Sequence, residues 1–144
     1  MPRFVLLYHE CPPHHPRPSH WDLMLEVGES LRTWALARLP NAWRALQTST
    51  AASNPGCPPL ANEDSVTAEQ LANHRLAYLD KEGPLSNDRG RVSRSDYGTY
   101  ERKENLPGSW YLVLEGDNWR GEITLQQTAA ADRQWTLTVH QRGR

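Results

Sequence analysis

Apolar and polar residues alternate with a period of two along much of this chain, most cleanly in His20-Trp21-Asp22-Leu23-Met24-Leu25-Glu26. Trp21, Leu23, Leu25 and Val27 fall on one face, and His20, Asp22, Met24 and Glu26 on the other. This spacing predicts a half-buried strand with an apolar face for a core and a ligand-bearing face opposite. Upstream, Arg3 to Tyr8 predicts a short buried strand closed by His9. Gly28-Glu29-Ser30 is a turn and Leu31 to Leu36 returns, so residues 21–36 predict a hairpin. Residues 41–47 fit a strand or a helical turn, and the polar, Pro-rich stretch 48–60 a loop. Thr67-Ala68-Glu69-Gln70, capped by Ser65 or Thr67, predicts a short helix ending near Asn73. His74 to Leu79 predicts a strand with His74, Leu76 and Tyr78 on one face. Lys81 to Gly90 is turn-rich, and Tyr97 to Tyr100 is a turn or strand start. Ser109 to Glu115, Trp119 to Leu125 and Gln134 to His140 then form a meander. About eight short strands and one short helix predict a mainly β fold. It is a barrel or sandwich, in the first case a small closed or partly closed β-barrel. A barrel that turns its polar face outward places a strand-face site on the surface, in a groove.

Composition narrows this picture. The 144 residues suit one domain, 1–144, and 11 prolines with 38% hydrophobic residues favour loops over long helices. Five of the six tryptophans lie in strand-like stretches and read as core anchors. A net charge of −1 gives no global attraction to polyanions, so any phosphate site is local. Cys11 and Cys57 make no disulfide framework. An apolar leader and a run of 18 apolar residues are both lacking, so the expectation is a soluble cytoplasmic protein with no membrane partner.

Four groups compete for chemistry. His20 and Asp22 share a strand face and His9 lies upstream. Two imidazoles and a carboxylate suit Mn²⁺, Zn²⁺ or Fe²⁺, and the plain alternative is a hydrogen-bonded surface pair. His74 with Tyr78 suits acid–base work or a phosphoryl contact, against a surface histidine beside a half-buried tyrosine. Arg38, Arg89, Arg91 and Arg94 carry guanidinium forks that match phosphate; for the last three the alternative is a solvated loop. Cys11-Pro12-Pro13-His14-His15 lacks zinc-knuckle spacing and reads as a loop. No phosphate-binding glycine loop or serine-nucleophile motif is present.

Taken in order, these motifs resemble a known family, the 3′-phosphoesterase domain at the N-terminus of bacterial DNA ligase D and its stand-alone relatives. The matching residues are Phe4 to His9, His20-Trp21-Asp22 with the strand to Glu26, Thr33-Trp34-Ala35-Leu36-Ala37-Arg38, His74-Arg75-Leu76-Ala77-Tyr78, Glu82-Gly83 and Tyr97-Gly98. They run from about residue 3 to about residue 140. The resemblance implies a small β-barrel with a short helix and a manganese-dependent hydrolase (or one using another divalent metal such as Zn²⁺). It would act in DNA repair by non-homologous end joining. Its substrates would be DNA or RNA-tipped DNA 3′ ends, from which it removes a 3′-ribonucleoside and then the 3′-phosphate. A separately encoded ligase or polymerase would work beside it. By the same resemblance His9, His20 and Asp22 bind the metal, His74 and Tyr78 engage the scissile phosphate, and Arg38 assists. Three departures stand out. Met24 replaces an arginine expected two residues after the aspartate, the segment from His9 to His20 is longer and richer in Pro and His, and the basic residue expected some way before His74 is absent, with Val66 or Thr67 near that place. The Met24 departure favours an alternative: a weak or inactive module of the same fold that binds DNA ends or a repair partner. A third reading is an enzyme acting on a smaller phosphate ester.

Overall fold

The computed structural model describes residues 2–15, 17–46, 64–85, 90–128 and 133–140. Alternation is realised as strands throughout: β1 Arg3–Glu10, β2 His20–Val27, β3 Ser30–Leu36, β4 Ser65–Arg75, β5 Gly83–Pro84, β6 Arg91–Leu106, β7 Ser109–Gly116, β8 Arg120–Gln127 and β9 Gln134–His140. All neighbours are antiparallel, in the order β1-β2-β3-β4-β9-β8-β7-β6, and β6 pairs back to β1. The result is the expected mainly β fold, a closed eight-stranded barrel with no open edge among its staves. The two-residue β5 pairs with β6.

The hairpin forms as its spacing implies, with Gly28 at φ +60° in the two-residue turn. Phe4, Leu6, Trp21, Leu23, Leu25, Trp34 and Leu36 point inward with Leu112, Leu114, Ile123, Leu125 and Leu137. Trp34, fully buried, meets Trp110 and Trp135 edge-on at ring separations of 5.6 and 5.5 Å. Gly98 is required where β6 crosses β7, since a Cβ there would lie 2.0 Å from the Glu115 carbonyl oxygen. Asp96, also buried, accepts the N–H groups of Asn118 (2.9 Å) and Trp119 (3.1 Å) and so fastens the β7–β8 turn. Burial pushes its carboxyl up, and these N–H groups oppose that shift.

Three expectations change. Residues 67–73 are not a helix but the middle of β4. Ala, Glu, Gln and Leu favour helix by well under about 1 kcal/mol each, whereas β4 hydrogen-bonds to both β3 and β9 and closes the barrel. Residues 74–79 are not one strand: β4 ends at Arg75 and Leu76–Leu79 is a short 3-10 helix. Asn41–Leu46 forms another, so of the two options for that stretch its described residues take the helical one. Finally, the outward face of β1 and β2 is not a solvated one. Val5, Leu7, Met24 and Leu31 are buried there under Leu79, Leu85 and Val92, a second apolar cluster outside the barrel wall. The expected loop 48–60, Cys57 and Arg89 lie outside the described residues. No helix among the described residues is long and apolar enough to cross a membrane.

Candidate metal centre

β1 and β2 run antiparallel in a register that sets His9 opposite His20 and Leu7 opposite Asp22. The period of two puts all three polar side chains on the outward face, beside the second cluster. His20 and Asp22 are only 5% and 4% exposed, so these two lie buried rather than in the open groove expected. The two imidazole rings are 5.0 Å apart. His20 Nε2 lies 3.2 Å from Asp22 Oδ1, and His9 Nδ1 lies 4.0 Å from Asp22 Oδ2. Ligand atoms about 2.0–2.2 Å from a tetrahedral ion sit about 3.4 Å from one another, so the His20–Asp22 separation suits a shared divalent cation, while His9 stands somewhat wider and on the other carboxylate oxygen.

The donors are oriented to receive such an ion. His20 Nδ1 is 2.8 Å from the Pro18 carbonyl oxygen, which only an N–H can approach favourably. The proton is therefore on Nδ1, and Nε2 presents its lone pair toward Asp22. Asp22 Oδ1 lies 3.2 Å from Nε2 and, with the proton on Nδ1, has no hydrogen-bond donor. A buried carboxylate oxygen without a donor is costly. A cation between it and the imidazole nitrogens removes the cost. Burial pulls His20 down, but the adjacent Asp22 carboxylate and the Pro18 carbonyl outweigh it and raise its pKa.

Cys11 offers a rival donor set, since one atom each of His9, Cys11 and His20 lie within 4.8 Å of one another. Its Sγ approaches His20 at Nδ1 (4.0 Å), the nitrogen already committed to Pro18. Burial and then the Asp22 charge push the thiol up, away from the thiolate that ligates. By chemistry Asp22 is the better third donor, although by distance alone it is the Cys11 set whose atoms lie mutually within 4.8 Å. Cys11 lies two residues after His9, just past the end of β1, so the period of two carries on to it. His15 also comes near, with its ring 5.8 Å from that of His9, whereas His14 is exposed.

His74 reaches the same outward face through an irregularity. Thr33 pairs with Leu71 but Leu31 with His74, so β4 carries one extra residue there. Without that bulge His74 would point to the opposite side. The Thr33 hydroxyl donates to the Leu31 carbonyl (3.1 Å), and His74 Nδ1 lies 3.1 Å from this hydroxyl and 3.0 Å from the Ala72 carbonyl. Nδ1 thus carries the proton and donates, leaving Nε2 for other partners. Tyr78, from the 3-10 helix, packs perpendicular to His74 at a ring separation of 5.1 Å. The structure therefore brings His74 to Tyr78 although they do not share a strand. Met24 lies between this pair and the triad: it is opposite Thr33, two residues from Asp22, and only 1% exposed.

Arg38 lies beyond the end of β3, exposed, beside a cavity of about 330 Å³ lined by Ser65, Val66, Thr67 and Thr136. None of the other five candidate residues lines that cavity. Arg94, on the outward face of β6, stacks over Tyr97 at 4.1 Å and lies 4.0 Å from Asp80. Unforeseen from sequence is Arg17, whose Nη1 is 2.7 Å from Glu69 Oε1 on β4.

A family model described as the DNA ligase D 3′-phosphoesterase domain matches residues 12–140. The match contains His20, Asp22, Arg38, His74 and Tyr78 and starts after His9, not at about residue 3. No curated protein matches the chain. The ordered motifs, the barrel and a match over nearly the whole length agree, and the chain belongs to the DNA ligase D 3′-phosphoesterase domain family.

Proposed function

We propose that this chain is a Mn²⁺-dependent phosphoesterase that trims 3′ ends during DNA repair. Its family supports the coarser role of 3′-end processing in repair. The reading adds removal of a terminal 3′-ribonucleoside and of the 3′-phosphate, with repair by end joining as the setting and a separately encoded ligase or polymerase as the user of the cleaned end. The observation that carries it is the donorless buried Asp22 Oδ1 facing His20 Nε2, with His9 alongside. His9, His20 and Asp22 would hold the ion. When bound, it supplies Lewis-acid polarisation of a phosphoryl oxygen and offsets charge there. His74, its Nδ1–H fixed on Ala72 and Thr33, turns Nε2 to the substrate, where its protonated form donates to the leaving oxygen. The Tyr78 hydroxyl donates to a phosphoryl oxygen. Arg38, exposed beyond the end of β3, would assist as a cation toward the substrate.

The test is incubation with Mn²⁺ and a primer-template ending in one ribonucleotide or a 3′-phosphate. Shortened or dephosphorylated product that disappears on chelation is expected; no product at high enzyme, with metal shown to be bound, overturns the reading. A second reading, a binding module without turnover, is favoured by one observation: apolar Met24 fills the space between triad and His74. It expects end-binding that weakens with salt and no cleavage.

A further inference from the structure

A guanidinium crosses the outward face beside the candidate metal site, and sequence spacing does not account for it. The register places Asp22 opposite Ala35 and Ala35 opposite Glu69, in one row across β2, β3 and β4. At about 4.8 Å per strand, Asp22 and Glu69 are roughly 10 Å apart with only the Ala35 methyl between them. Arg17 enters this row from the segment between β1 and β2, and its Nη1 rests 2.7 Å from Glu69 Oε1. Its charge is felt on both sides. Glu69, through its hydrogen bond, and more weakly Asp22 stabilise the guanidinium, and Arg17 in turn disfavours protonation of His20.

Arg17 is held in place by more than its own side chain. Cys11 N–H donates to Ser19 Oγ (2.9 Å), His15 N–H to the Pro12 carbonyl (3.0 Å) and Arg17 N–H to His15 Nδ1 (3.1 Å). His20 Nδ1–H holds the Pro18 carbonyl, so the next residue after Arg17 is tied to a metal-site side chain. Yet the Arg17–Glu69 pair itself is 36% and 39% exposed, and an exposed pair is weakly held. A phosphate anchored beside Asp22 would offer the same fork a second, more highly charged acceptor a few ångströms from where it now rests.

The geometry points to Arg17 as the residue that receives the substrate phosphate, exchanging Glu69 for a phosphoryl oxygen when substrate arrives. This rests on reading the His9–His20–Asp22 site as a phosphoesterase centre. It also gives the segment between β1 and β2 a role, since it carries over the site a positive charge that the outward face of β2, with Met24 beside Asp22, lacks. Glu69 is then a holding partner that competes with substrate.

The test measures binding of inorganic phosphate to the Mn²⁺-loaded protein, with a separate Mn²⁺ titration and a melting curve for each variant. Arg17→Ala is expected to weaken phosphate binding roughly tenfold or more, as loss of a charge-assisted hydrogen bond does, with Mn²⁺ affinity and melting unchanged. Arg17→Lys restores part of the loss. Glu69→Gln, which frees the guanidinium, strengthens phosphate binding severalfold. If wild type and Arg17→Ala bind phosphate equally, Arg17 is not the receiver, while the reading of the metal centre stands. If the Mn²⁺-loaded wild type binds no phosphate at all, both fall together.

Discussion

The two faces of one strand pair, β1 and β2, have been put to opposite uses. Inward, Leu6, Trp21, Leu23 and Leu25 pack into a core closed by strands from every part of the chain. Outward, the same strands carry Val5, Leu7 and Met24 under a cover of Leu79, Leu85 and Val92, and beside them His9, His20 and Asp22. The inner side is a continuous apolar jigsaw. The outer side is smaller and mixed, and it keeps a carboxylate oxygen in a buried place without a donor. A rigid, well-filled inner face is what allows the outer one to hold such a group in position. Changes inside should therefore be read as stability, and changes outside as binding.

The largest effect is expected from Trp34→Ala. Trp34 is fully buried and meets two other indoles, so its loss leaves a large cavity and costs about 3–5 kcal/mol in a denaturant titration. At temperatures where the variant is still folded, Mn²⁺ affinity should stay near that of wild type. A variant that loses metal while folded would show that the two faces are not separable.

Asp22→Asn is the converse. The amide keeps the shape but gives up the charge, so the melting temperature should change little. Mn²⁺ affinity should fall by at least roughly 100-fold, the upper end of what losing a mere neighbour of a ligand costs. Retained affinity, read by titration, would point to the His9–Cys11–His20 donor set instead.

These two sides were unequally legible. The inner face is written in the sequence as plain alternation, and β1 to β3, the final meander and the barrel follow from it. His20 and Asp22 share a face for the same reason. Residues 67–73 misled because helix-forming side chains were needed only as fillers of a strand that two neighbours held. His74 was placed correctly with Tyr78 for the wrong reason: a bulge and a 3-10 helix, not a shared strand, bring them together. The cover over Met24 was invisible, since Leu79 comes from a segment whose alternation read as a strand and Leu85 from a stretch without periodicity. Arg17 was hidden among prolines, because no local pattern reveals that a loop crosses two strands to reach Glu69.

A smaller effect separates proton from metal at the outer face. His20 has its pKa raised in the folded protein, on balance by Asp22. That interaction stabilises the metal-free fold at pH values below the ordinary imidazole value of about 6.5 and is lost as pH rises through the raised folded value. The ion needs the neutral ring, so its binding runs the other way. Mn²⁺ affinity should drop as pH falls through the His20 titration, by up to about tenfold per unit for one displaced proton. Stability of the metal-free protein should meanwhile decline across the same window as pH rises. Titrations and melting curves at matched pH values check the two slopes. Parallel slopes would mean that His20 is not where proton and metal compete.

The smallest effect is the sharpest probe of where packing ends and metal chemistry begins. Met24 is two residues from Asp22 on the same face, yet its surroundings are Val5, Leu7, Leu31 and Leu79 rather than water. Leucine has nearly the same volume and no sulfur, so Met24→Leu should cost less than about 1.5 kcal/mol in denaturant. Its shape differs enough to shift the outer cluster slightly, and the backbone of β2 carries Asp22 next door. If the inner core fixes β2, as its filled side implies, that shift stays within the outer cluster and Mn²⁺ affinity is unchanged within about twofold. A large loss of affinity with little loss of stability would show instead that the outer cluster itself positions Asp22, and that the metal site depends on the apolar residues covering Met24 as much as on the barrel beneath.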